Sequence, residues 1–208
     1  MLVVTVKLSH KCERGRRATK FGGMTNTSAS DYDNDDSAET IAVAATSSER
    51  GWALRVLPEE ATDSLDSLVD YLRAERSEGA VVGFVDVADD WCAVVRPVPG
   101  GVRLIISDAT AALDDYLAND MLDELDVDTP TEEEADDAAE NDTPWPEGEF
   151  DLLEDLGASE QLLSVVFDNP DYYPAEQLIS VAEELGFGDD LADILDANLP
   201  GDRDFDDE

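Results

Sequence analysis

The chain has 208 residues, 42% of them apolar, which is enough for one medium hydrophobic core or two small ones and excludes a chain disordered throughout. It carries 52 acidic residues against 13 basic, a net charge of −39. Six of the bases, Lys7, Lys11, Arg14, Arg16, Arg17 and Lys20, stand in the first 22 positions beside one acid, Glu13. From Gly23 onward seven bases face 51 acids, a charge of −44, which repels phosphate backbones and argues against direct nucleic-acid binding by the main body.

A basic protein surface is the partner such a body suits, and solubility or a saline cytoplasm are the competing reasons for the same composition. Cys12 and Cys92 are the two cysteines, one in the basic leader and one inside an apolar run. They make no disulfide framework and point to a reducing cytoplasm. Met1 to Leu8 is short, and its positive charges follow the apolar run, the wrong order for secretion. No run approaches membrane-spanning length.

Residues 1–39 combine the basic start with a Thr/Ser/Asn/Asp stretch and read as a disordered extension, a non-essential one in the favoured reading, with contact to RNA or to the chain's own acids as the other. Ile41–Ala45 and Trp52–Leu57 flank the polar Thr46–Gly51 and predict a β-hairpin with Trp52, Leu54 and Val56 inward. The period then changes. After Thr62 or Asp63 as N-cap, Leu65, Leu68, Val69 and Leu72 recur at helical spacing.

Ala80–Ser107 is the most continuous apolar stretch and predicts a three-stranded antiparallel meander. Val81–Val87 and Trp91–Val98 are joined by Ala88-Asp89-Asp90, and Val102–Ile106 follows Pro99-Gly100-Gly101. The first of these strands is apolar on both parities and belongs at the centre of a sheet. Asp108 predicts the cap of a second helix, with Ala109, Ala112, Leu113, Tyr116 and Leu117 on its apolar side. The order ββαβββα gives an α+β domain over 40–125, a five-stranded, mostly antiparallel sheet with two helices.

Asp126–Glu149 holds eleven acids and no base, with Pro130, Pro144 and Pro146, and reads as an extended acidic linker. Trp145 within it is either a hydrophobic staple onto the next helix, the favoured reading, or an anchor for a partner. Residues 150–198 carry short helical periods punctuated by Gly157, Ser159, Asn169-Pro170, Pro174 and Gly186, and predict a small all-α unit. Residues 199–208 form an acidic tail.

The catalytic inventory is negative. His10 is the one histidine and lies in the leader, so no triad with a histidine base can be assembled in the folded part. No zinc-ligand spacing exists. Asp31–Asp35 imitates a calcium loop but has Asp36 where glycine is needed and Ala42 where glutamate is needed. Gly22-Gly23 and Gly100-Gly101 match no phosphate-cradling motif, and no cofactor is expected.

The segments GWALRVLPEEATDSLDSLVDYLRA and VRLIISDATAALDDYLAND, the acidic interruption, and the ending FDLLEDLGASEQL, DYYPAEQL and AEELGFGDDLADIL occur in an order that resembles the actinobacterial tRNA adenosine deaminase-associated proteins, over about residues 41–197. Those proteins are named for genes that lie beside the deaminase gene. The chain itself lacks the deaminase signature of H-x-E with P-C-x-x-C, so the resemblance implies association and not deamination, and it carries no site residues with it.

The expectation is a non-catalytic, cytoplasmic, acidic accessory protein that binds a tRNA adenosine deaminase or another protein with a basic surface and no membrane. Tyr172, Tyr173 and Trp145 are its candidate anchors; ordinary packing beside Pro170 and Pro174 is the other reading of the tyrosines. A small-molecule-sensing α+β module and an orphan enzyme using carboxylates are the alternatives.

Overall fold

The computed structural model describes residues 40–141 and 143–198; the readings of 1–39 and 199–208 lie outside them. Six strands form one antiparallel sheet in the order β2-β1-β3-β4-β5-β6: β1 (Thr40–Ser48), β2 (Gly51–Val56), β3 (Val81–Val87), β4 (Trp91–Val98), β5 (Gly101–Ile106) and β6 (Glu147–Gly148). The α+β class and the hairpin and meander are as expected. The sixth strand comes from the expected linker, where Ile105 pairs with Gly148 and Ile106 with Glu147.

Glycine permits that pairing. Gly148 has φ +137, and a Cβ on it would stand 2.3 Å from the Leu104 carbonyl oxygen. A side chain there would drive β6 off the sheet edge.

Both faces of the sheet are covered. Strand side chains alternate between two cores, because successive residues point to opposite faces. Ala42, Ala44, Val85, Val87, Ala93, Val95, Leu104 and Ile106 meet α1 (Leu65–Ala74) and α2 (Tyr116–Glu124). Ile41, Val43, Val82, Phe84, Val94 and Ile105 meet α4 (Glu160–Phe167), α5 (Pro174–Leu185) and α6 (Gly188–Asn198). Residues 150–198 are therefore not a separate all-α unit. They belong with the sheet to one compact unit, because the second apolar face of β1, β3 and β4 needs a cover. Phe187 illustrates the join, lying 5.5 Å from Phe84 edge-on and 4.9 Å from Trp52.

Local details differ from the periodicity at several points. The cap of α1 is Ser64, whose side chain accepts from Ser67 N. Asp108 caps a 3₁₀ turn, Ala109–Leu113, while Asp115 caps α2 by accepting from Leu117 and Ala118 N, so one expected helix becomes two pieces. That shift in phase leaves Tyr116 88% exposed. Val56, at the end of edge strand β2, is exposed, while Trp52 and Leu54 pack inward.

The linker is not extended throughout. Thr131 and Glu134 form a capping box for α3 (Glu132–Glu140), in which no residue is buried. Beyond it the chain is fastened to the sheet by arginines. Arg103 Nε donates to Glu149 at 2.8 Å and its Nη2 to Asp151, while Arg96 donates to the Leu152 carbonyl at 2.6 Å and to both oxygens of Asp155. These bonds lead the chain from β6 onto the face that α4, α5 and α6 cover.

Candidate functional site

The β3–β4 connection is a tight turn with Ala88 at φ 53 and Asp89 at φ 57, closed by Asp90 N donating to the Val87 carbonyl at 2.9 Å. Positive φ at both central positions matches the twist of a hairpin and is uncommon for alanine. The turn aims two acids. Asp89 Oδ1 accepts from Ala175 N at 3.3 Å, at the first turn of α5, and Asp90 faces a neighbouring cleft.

Helix α5 starts there for local reasons: Pro174 occupies a first-turn position and Tyr173 N donates to Glu176 Oε2 at 2.9 Å. One turn further in, Gln177 is 5% exposed. Its Oε1 accepts from the Cys92 thiol at 3.4 Å, and no hydrogen bond of the described residues engages its Nε2. Gln177 lines the same cleft as Asp90.

The cleft has a volume of about 400 Å³. Ser107 and Asp108 reach it from the end of β5, and Ala135, Ala138 and Ala139 of α3 line it as well. Pro144, Pro170, Pro174 and Tyr172 also line it. Asp108 Oδ1 accepts from both N and Oγ1 of Thr110, and Ser107 Oγ accepts from Cys92 N at 2.8 Å. Among the described residues no lysine, arginine or histidine lines the cleft. Carboxylates and an amide with no cation beside them among the described residues attract positive charge and repel anions.

The three sequence-derived anchors do not converge. Tyr172 is 42% exposed and lines the cleft; Tyr173, 66% exposed, is the N-cap residue of α5. Trp145 is half-buried against the core shared with α1 and α2, its Nε1 donates to Glu147 at 3.3 Å, and its carbonyl accepts from Ala109 N at 2.8 Å. It is therefore no staple onto the following helix; Phe150 packs instead on Phe167, 6.5 Å away across the other face. Sequence reasoning missed Gln177, Asp90 and Asp108. Only Gln177 left a trace, as a polar residue beside Leu178 in an apolar stripe, and a trace of that kind says nothing of a cleft.

Cys92 is poorly placed to act as a nucleophile. It is fully buried, and desolvation pushes its thiol far above the ordinary range, against the hydrogen bond from Ser107. Among the described residues no group of three or more His, Cys, Asp or Glu side chains is placed to hold a metal ion, and no helix is long and apolar enough to cross a membrane.

No solved structure matches the chain. Protein Rv3753c of Mycobacterium tuberculosis is 40% identical to it over 161 residues, which cover 77% of this chain and 90% of that protein. A family model described as Rv3753c-like tRNA adenosine deaminase-associated protein matches residues 40–188, from the first residue of β1 to the start of α6. The chain thus belongs to the Rv3753c-like tRNA adenosine deaminase-associated protein family.

Proposed function

We propose that this protein is a non-catalytic, cytoplasmic accessory factor that presents an acidic surface to a basic surface of a tRNA adenosine deaminase. The observation that carries the reading is where the few cations of the body are spent. Four of the six arginines between residues 40 and 198 are engaged within the fold: Arg55 pairs with Glu75, Arg96 with Asp155, Arg103 with Glu149 and Asp151, and Arg73 donates to the Gly101 carbonyl. Among the described residues no ion pair engages the acids of the exposed α3, which are available to a partner. The family description supplies the candidate partner.

Electrostatic attraction of this kind speeds encounter and falls away over a Debye length of about 8 Å at physiological ionic strength. Residence then depends on a few apolar contacts, and the exposed Tyr172 and Tyr173 are the side chains suited to supply them. The same negative field disfavours direct contact with the tRNA, so in this reading the deaminase alone touches the nucleic acid. The test is surface-immobilised kinetics with the purified deaminase over a salt series, comparing the chain with Y172A/Y173A. The double variant should dissociate faster with little change in association rate, and equal off-rates would remove the tyrosines from the interface.

A further inference from the structure

The cleft beside α5 combines three things that a single class of ligand satisfies. Gln177, 5% exposed as a residue, lines the cleft with an Nε2 that makes no hydrogen bond among the described residues and can donate to an acceptor there. The exposed carboxylate of Asp90 and the second carboxylate oxygen of Asp108 make no hydrogen bond among the described residues and call for a cation. Pro144, Pro170, Pro174 and Tyr172 provide apolar and aromatic surface. Resting on the acidic-accessory reading, we propose that this cleft receives an arginine- or lysine-bearing peptide segment of the partner protein, with a main-chain carbonyl on Gln177 Nε2 and the cationic side chain on Asp90 and Asp108.

Chemistry narrows the ligand in this way. A phosphate or nucleotide would bring negative charge against the carboxylates. A polyamine would satisfy the carboxylates but leave Gln177 without an acceptor. A free cationic amino acid would carry its own carboxylate into the acidic cleft. A peptide amide supplies acceptor and cation together, and its flanking residues can follow the row of acids on α3, whose alanines line the cleft. Tyrosine and proline walls suit an extended peptide, and a guanidinium over the Tyr172 ring adds a cation–π contact.

The test uses the full chain and isothermal titration calorimetry at low salt. The probes are an acetylated and amidated Gly-Arg-Gly-Arg-Gly peptide, 1,5-diaminopentane of the same charge, and free arginine. The peptide should bind more tightly than the other two. D90N and D108N should each weaken it by about threefold or more, and both should flatten its salt dependence. Q177M, which keeps the side-chain volume, should abolish the preference for peptide over diamine. Asp90 is exposed, so D90N is the variant that keeps the fold intact if Q177M does not. Equal binding of peptide and diamine, or a peptide affinity indifferent to D90N, would overturn the inference and leave only a diffuse acidic field. Tighter binding of free arginine than of the peptide would overturn it in favour of a small-molecule site.

The same variants titrated with the deaminase separate this inference from the proposed function. A deaminase that binds the chain and D90N, D108N and Q177M alike would refute the cleft and keep the partnership. A deaminase that does not bind, beside a peptide that binds as described, would refute the partnership and keep the cleft.

Discussion

The thiol of Cys92 on β4 donates to Oε1 of Gln177 on α5 at 3.4 Å, across 85 positions of sequence, between two side chains that are both buried. The bond ties the centre of the sheet to the helix that carries the cleft, and it sets which end of the Gln177 amide is left over. Because desolvation holds the thiol protonated, Cys92 should resist iodoacetamide in the native protein and react only as the whole fold opens. Peptide mapping by mass spectrometry across a denaturant series should show Cys92 alkylation rising with the global unfolding transition. Native-state alkylation would show that α5 lifts from the sheet on its own.

Replacement of Phe187 by alanine tests whether the C-terminal helices share one core with the sheet. The ring sits between Trp52 and Phe84 and is 3% exposed, so its removal should cost about 3–5 kcal/mol and lower a single unfolding transition. Two separated transitions in calorimetry would contradict the shared core.

Exposed α3 offers glutamates to a protease that cuts after glutamate, and none of its residues is buried. Limited digestion should nick Glu132–Glu140 first. The two pieces should then co-elute in gel filtration, because α4, α5 and α6 stay seated on the sheet. Fragments eluting separately would restore the picture of two units on a linker.

Asp155 contributes a pH dependence whose sign follows from Arg96. The hydrogen bond from Arg96 holds the Asp155 carboxyl below its ordinary value of 3.8. A carboxyl depressed in the folded state adds stability that is complete above the ordinary value and lost as pH falls through the folded one. The Asp155 side chain is 62% exposed, so solvent screening limits the pair to less than about 1 kcal/mol. Asp155→Asn should therefore be slightly less stable than the parent chain at neutral pH and indistinguishable from it in strong acid. Denaturant melts at the two extremes measure the difference; a gap that persists in acid would assign the effect to packing.

How much of this was legible in the sequence depended on the reach of the signal. Strands β1 to β5 were legible because β-branched runs are bounded by short turns, and α4 and α5 because Ser159, Pro174 and Gly186 mark their ends. The cover on both faces was present in the two-parity pattern of Val81–Val87, yet the acids between 126 and 149 concealed it. A charge run implies a linker when judged by composition, whereas a capping box and one glycine, Gly148, suffice to fold parts of it onto the protein. Tyr116 and Val56 were misplaced because the break at Asp115 and the edge position of β2 are tertiary facts. The cleft was not legible, since Asp90, Asp108 and Gln177 come from a turn, a strand end and a helix that only the fold brings together.

The central claim is the acidic partnership, and the most direct measurement of it is the association of the full chain with immobilised tRNA adenosine deaminase as ionic strength is raised. The account predicts binding at low salt whose association rate falls steeply toward and beyond physiological salt, as screening shortens the reach of the −44 body. Absence of binding at low salt would contradict the partnership, and binding indifferent to salt would contradict its electrostatic basis.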